Sequence, residues 1–223
     1  MSAVYRHADK SLKRLYKLAE ALFQRLAITA RWDEINVIST VKAQYRELDG
    51  AATQEYEKIA QAAYEDAKAE IVKVLPEKES DLTGLRRLFV LALLSNYDAK
   101  TEYRYDSEWQ RKSDRMAESL MAVTGADLNS PVLNTPAIRA ALQRGLNLMN
   151  GQFRNMADTV TDEARIEAFA QAGIKEVVWH TQQDERVCEE CRERDNHVYP
   201  LYGVPPKHRR CRCWLSARIG SNP

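Results

Sequence analysis

Asp184-Glu185-Arg186-Val187-Cys188-Glu189-Glu190-Cys191, followed by Pro205-Pro206-Lys207-His208-Arg209-Arg210-Cys211-Arg212-Cys213, is the stretch on which the fold of this chain turns. All four cysteines of the protein lie in it, together with a histidine at ligand spacing. The two-residue gap of Cys188-x-x-Cys191 lets a tight turn aim both sulfurs at one ion, and His208-x-x-Cys211 repeats that geometry. Two such pairs complete a tetrahedron, the arrangement zinc favours with nitrogen and sulfur donors. The pattern therefore predicts a Zn2+ site made by Cys188, Cys191, His208 and Cys211. Cys213 is the substitute for the last place; it also suits a small core residue, sharing one strand face with Leu215, Ala217 and Ile219. Four protein ligands leave no position for water, so the ion is expected to be structural. Free or disulfide-bonded cysteines are the competing account, which the polar N-terminus, without a secretory signal, speaks against.

Around these ligands the hydrophobic period is that of strands. Alternation in Val177-Val178-Trp179-His180-Thr181, in His197 to Leu201 and in Cys213 to Ile219 predicts three short antiparallel strands stitched by the metal. So small a sheet is marginal alone, and the ion offsets its thin core.

Upstream the period is helical. Leu12, Leu15, Tyr16, Ala19, Leu22, Phe23 and Leu26 step by three and four, which predicts an amphipathic helix packed within the protein. A second stripe runs from Ile38 through Val41, Tyr45, Leu48, Ala52, Tyr56, Ile59, Ala63, Ala67 and Ile71 to Val74. It predicts one very long helix, or a helical hairpin if Gly50 breaks it. Pro76 to Ser80 reads as a charged linker, and the apolar run from Leu82 to Tyr97 as a central buried helix. Ser107 and Gln110 form a capping-box start for a helix through Met116, Leu120 and Val123. Tyr97, Tyr103, Tyr105 and Trp109 read as half-buried packing at a helix junction, with base stacking as the alternative use. Thr135-Pro136 opens another helix, expected to close at Asn150-Gly151, and Asp162 to Ala172 a last one, stopped by Gly173. The expected organisation is a helical scaffold over residues 1–134 and a module over residues 135–223 that carries the zinc site. The fold class is thus mainly α with a small C-terminal α+β module.

The run Ala164-Arg165-Ile166-Glu167-Ala168-Phe169-Ala170-Gln171-Ala172-Gly173-Ile174-Lys175-Glu176-Val177-Val178-Trp179, then Asp184 to Cys188 and the His208 to Cys213 ending, resembles the Mu F-like, SPP1-type minor head protein family of phage head morphogenesis. The likeness covers about the last sixty residues and consists of several motifs in order. It implies a virion component near the portal, acting in head assembly or in DNA packaging and ejection. The implied partners are the portal or other head proteins and, by way of a basic surface, DNA. The implied location is the host cytoplasm during assembly and then the capsid interior or portal vicinity. Where the family usually has an Asp-Gly turn, this chain has Asp195-Asn196-His197, and Asn196 is able to take the left-handed conformation of a glycine.

At 223 residues with a net charge of +1, the chain has no global charge that selects nucleic acid or a membrane surface. No apolar run is long enough to span a bilayer, and a soluble protein without a small-molecule substrate is expected. Phosphate-cradling, dinucleotide-binding, nucleophile-elbow and H-E-x-x-H motifs are absent from the sequence, so no catalytic residue is nominated. The enzymatic rival is an HNH-like nuclease, because Asp195-Asn196-His197-Val198-Tyr199-Pro200-Leu201 mimics its core; the downstream Asn and His partners are missing. Lys207, Arg209, Arg210, Arg212 and Arg218 form the candidate nucleic-acid surface. The alternative is a solvated loop whose charges balance Glu185, Glu189, Glu190, Glu193 and Asp195.

Overall fold

The computed structural model describes residues 6–29, 34–101, 114–115, 118, 135–208 and 211–220. Helices α1 (Arg6–Thr29), α2 (Glu34–Val74), α3 (Arg87–Thr101) and α4 (Thr135–Gln171) precede β1 (Glu176–His180), the single-turn helix α5 (Glu189–Glu193), β2 (Val198–Pro200) and β3 (Trp214–Ala217). The protein is mainly α with a small C-terminal α+β region, as its periodicities predict. No helix among the described residues is long and apolar enough to cross a membrane.

Two compact units are present. One comprises Leu12–Glu55 and Leu91–Phe153. Its core holds Leu12, Leu15, Ala19, Leu22 and Phe23 of α1 with Val41, Tyr45, Leu48 and Ala52 of α2, the two stripes expected from spacing. The rings of Phe23 and Tyr45 meet edge-on at 6.2 Å. The helix α2 is continuous for 41 residues, so the hairpin alternative is set aside. Gly50 does not have the positive φ that a turn would require, and the buried stripe continues on both sides of it. A mid-helix glycine costs only about 1 kcal/mol, which that burial outweighs.

The other unit comprises Met1–Ser11, Tyr56–Val90 and Arg154–Pro223. Helix α4 departs from expectation: it runs 37 residues without a stop at Asn150-Gly151. Gly151 also lacks a positive φ, and Met149 and Phe153 before and after it are buried, so the apolar face has no gap at which to end. The true stop is Gly173, at φ 77°, where Gly173 N–H donates to the Ala170 carbonyl and Ile174 N–H to that of Phe169. This is a Schellman closure, which the left-handed glycine makes inexpensive.

The charged linker expected at Pro76 to Ser80 takes the form of a 3₁₀ turn, Pro76–Asp81, with no buried residue. One further expectation needs correction. Helix α3 starts at Arg87, and it is not a central buried helix: Val90 and Leu94 are buried, but Leu88 is 77% exposed and Leu91 36%. A run apolar on every face gives no period from which to read its buried side. Of the expected helix from Ser107, Asp114, Arg115 and Glu118 are described and are helical; the rest of it and the aromatics Tyr103, Tyr105 and Trp109 lie outside the described residues.

The three strands occur where alternation places them, in the antiparallel order β2-β1-β3. Val177 pairs with Tyr199 on one side and Ala217 on the other, and Trp179 lies opposite Leu215. Val177, Trp179 and Leu215 are buried. Arg165 of α4, itself buried, donates to the Leu215 carbonyl (3.3 Å) and pairs with Glu70 of α2 at 2.5 Å, which ties the sheet to two helices.

Candidate metal centre

The first ligand pair is made by a helix start. Cys188 has extended backbone as the residue capping α5, its carbonyl accepts the Arg192 N–H, and Cys191 stands one turn inside. Residues three apart on a first turn lie on one side, so both sulfurs face the same point. Entry to β2 is shaped by Asn196 at φ 61°, the left-handed conformation expected of it. Asn196 N–H donates to the Trp179 carbonyl and Trp179 N–H to the His197 carbonyl, extending the β1–β2 pairing to the end of the turn. The second pair comes from the loop before β3, where Cys211 N–H donates to the His208 carbonyl at 3.1 Å.

These two local turns converge. Cys191 Sγ lies 3.1 Å from His208 Nε2 and 3.7 Å from Cys211 Sγ, and Cys188 Sγ lies 3.3 Å from the same imidazole nitrogen. The donor atoms of Cys188, Cys191 and His208 all fall within 4.8 Å of one another, as do those of Cys191, Cys211 and Cys213. Cys191 belongs to both groups. A tetrahedral ion with Zn–S bonds of about 2.3 Å has a sulfur–sulfur edge of about 3.8 Å and a sulfur–nitrogen edge of about 3.5 Å. The sulfur–sulfur separation matches the first, and the sulfur–nitrogen separations are a few tenths of an ångström shorter than the second, so the donor set can hold a metal ion of this kind. None of the four cysteines is in a disulfide.

The ligands anticipated from spacing thus stand in two adjoining groups that share Cys191, with Cys213 in the second. Cys213 is 3% exposed and Cys211 7%, so Cys213 meets both descriptions given of it, a core residue and a donor within reach.

Protons are unevenly shared among these sulfurs. Hydrogen bonding from the Cys213 thiol, helped by Lys207 and opposed by burial, holds the Cys211 thiol down to about 5. The Cys191 N–H, with His208 nearby, lowers Cys188. Burial pushes Cys191 up to about 12, and donation to Cys211, with burial, raises Cys213. Cys211 is thus the sulfur most ready to act as a thiolate, and an ion binding here displaces the protons that the other thiols keep.

Around the cluster, cations expected to face phosphate are turned to carboxylates of the protein. Lys207 Nζ pairs with Asp162 at 2.5 Å, Arg212 forks onto Asp184 with one arm at 2.6 Å, and Arg218 meets Glu176 at 3.1 Å. Arg209 and Arg210 lie outside the described residues. The bonded carboxylates are not the group expected to balance these charges. Asp162 lies on α4, far back along the chain, and Glu190 pairs instead with Arg194.

Sequence reasoning missed Asp158 and Asp162. Their one signal is a four-residue spacing on a helix whose neighbouring positions are apolar. Burial raises the Asp158 carboxyl to about 7; Asp162 adds to this, while Arg154 and Lys207 oppose it. The folded state therefore keeps a proton that the unfolded chain releases near 4, and the stability this confers is lost as pH rises from about 4 through about 7. Asp158→Asn is expected to be more stable than wild type at pH 8 by on the order of 2 kcal/mol, with the difference vanishing near pH 4. Urea melts across that range measure it.

The fold and the cluster define a mainly helical protein whose C-terminal antiparallel module gathers cysteine and histidine donors able to chelate a metal ion. Comparison with protein-family models, curated proteins and solved structures found no match for the chain.

Proposed function

We propose that the protein is a non-enzymatic minor head protein of a tailed phage, acting near the portal in head assembly or in DNA packaging and ejection, with Zn2+ as a structural ion in its C-terminal module. The observation that carries this reading is the position of Cys191, whose sulfur lies within reach of both His208 and Cys211 although residues 192–207 separate the two ligand pairs. The ordered motifs that resemble head-morphogenesis proteins are thus the same residues that meet at the centre. Zinc suits them because sulfur and imidazole nitrogen are its preferred donors, and a closed set of four supplies folding energy instead of Lewis acidity.

In this reading the helices dock on the portal or other head proteins, and the zinc module is a stable knob on that assembly. Arg209, Arg210 and Arg218 are the cations offered to DNA, and contact with DNA is to be read from a salt-dependent affinity for duplex. Purified virions are expected to contain the chain by mass spectrometry, and the isolated protein to carry about one equivalent of zinc. Virions lacking the chain overturn the head assignment, and metal-free protein overturns the zinc assignment.

The nuclease alternative places His197 as the base. Asp195, its neighbour in the motif, accepts hydrogen bonds from Thr181 N–H at 2.7 Å and Gln183 Nε2 at 3.0 Å, so its carboxylate closes a turn. Magnesium-dependent nicking of plasmid that disappears in His197→Ala would favour the nuclease.

A further inference from the structure

We infer that Lys207 and Asp162 form a clamp that holds the loop carrying His208, Cys211 and Cys213 in its metal-binding shape, making Lys207 a positioning residue of the centre. The inference rests on the metal-site reading and goes beyond its ligands.

Three contacts carry it. Lys207 directly precedes His208, and its ammonium donates to the carbonyl of Cys213 at 2.6 Å, so one side chain ties the entrance of the ligand loop to its last sulfur-bearing residue. The same ammonium pairs with Asp162 at 2.5 Å, and the two side chains are only 14% and 12% exposed. Asp162 belongs to α4, a 37-residue helix, so the loop is referred to a rigid element and not merely to itself. The ammonium also lies 5.9 Å from the centroid of the Trp179 ring, on the central strand of the sheet.

The physics favours this geometry over a phosphate-facing role. A largely buried ammonium requires partners, and a carboxylate, a carbonyl and an aromatic face supply them; drawing it out to DNA would give up all three. A loop with three donors in six residues has many conformations in which they diverge, and closing it beforehand removes that entropy from the cost of binding. Groups that orient ligands from outside the coordination sphere commonly change metal affinity by about 10–100-fold.

The test is a Zn2+ competition titration of the full chain against a chromophoric chelator, with urea melts of the metal-free proteins. Lys207→Met keeps the length of the side chain without its charge, and Asp162→Asn is nearly isosteric, so it serves if the first variant fails to fold. Each is expected to weaken zinc binding about 10–100-fold, the double variant no more than the worse single one, and Lys207→Arg to recover most of the affinity. Arg87→Gln, which removes the exposed Arg87–Glu57 pair between two helices, is expected to leave affinity unchanged. Zinc affinity within twofold of wild type in both single variants overturns the clamp while leaving the metal centre intact. Variants whose metal-free stability falls in step with affinity would show general packing and overturn it too. A wild-type chain that takes up no zinc removes both readings.

Discussion

Cys191→Ser is expected to weaken metal binding about a hundredfold and to loosen the fastening of the three C-terminal strands. The reason is positional: Cys191 is shared by both donor groups, whereas Cys188 and His208 belong to one and Cys211 and Cys213 to the other. Structural zinc sites contribute roughly 10–16 kcal/mol of binding free energy, so one ligand of four carries on the order of 3 kcal/mol, about two orders of magnitude in affinity. Serine keeps the shape but presents a poor zinc donor. The companion variants decide the fourth ligand: if Cys211 holds it, Cys211→Ser shows a loss of the same order and Cys213→Ser little change, and the reverse pattern assigns it to Cys213. Competition titration and zinc analysis of the purified variants supply the measurement. A Cys191→Ser protein whose zinc affinity stays within about fivefold of wild type would remove the centre.

Trp179→Ala is expected to cost about 3–5 kcal/mol of stability in the metal-loaded protein. Trp179 is fully buried on the middle strand. It meets Tyr199 edge-on at 6.2 Å and has the Arg194 guanidinium 5.4 Å and the Lys207 ammonium 5.9 Å from its ring centroid. Removing the indole opens a large cavity and deprives two cations of their aromatic face. Trp179→Phe is expected to recover more than half of the loss, because the indole N–H has no hydrogen-bond acceptor among the described residues and phenylalanine therefore forfeits none. Chemical denaturation at saturating zinc checks both variants; a loss below about 1 kcal/mol for alanine would mean that the ring does not carry the core of the module.

What was legible in the sequence was whatever repeats locally. The stripe from Leu12 to Phe23, the stripe from Val41 to Ile71, the alternation around Trp179 and the glycine stop at Gly173 each announce themselves within a few residues, and the structure contains all four. The left-handed Asn196 was legible for the same reason, since few side chains tolerate that backbone. Failures came where a local signal competes with distant packing. Asn150-Gly151 has the chemistry of a helix end but lies between buried Met149 and Phe153, and the apolar run of α3 gave no clue that Leu88 faces solvent.

The sequence by itself determined a helical chain ending in a short strand module, and it nominated the five donors, because ligand spacing and hydrophobic period are properties of neighbouring residues. Only the tertiary structure decided that Cys191 stands at the middle of those donors, that α4 continues through its glycine and that Lys207 turns inward to Asp162. Each of these depends on which distant surfaces meet. A charged side chain is held by the nearest carboxylate in space, and no count of residues along the chain reveals which one that is.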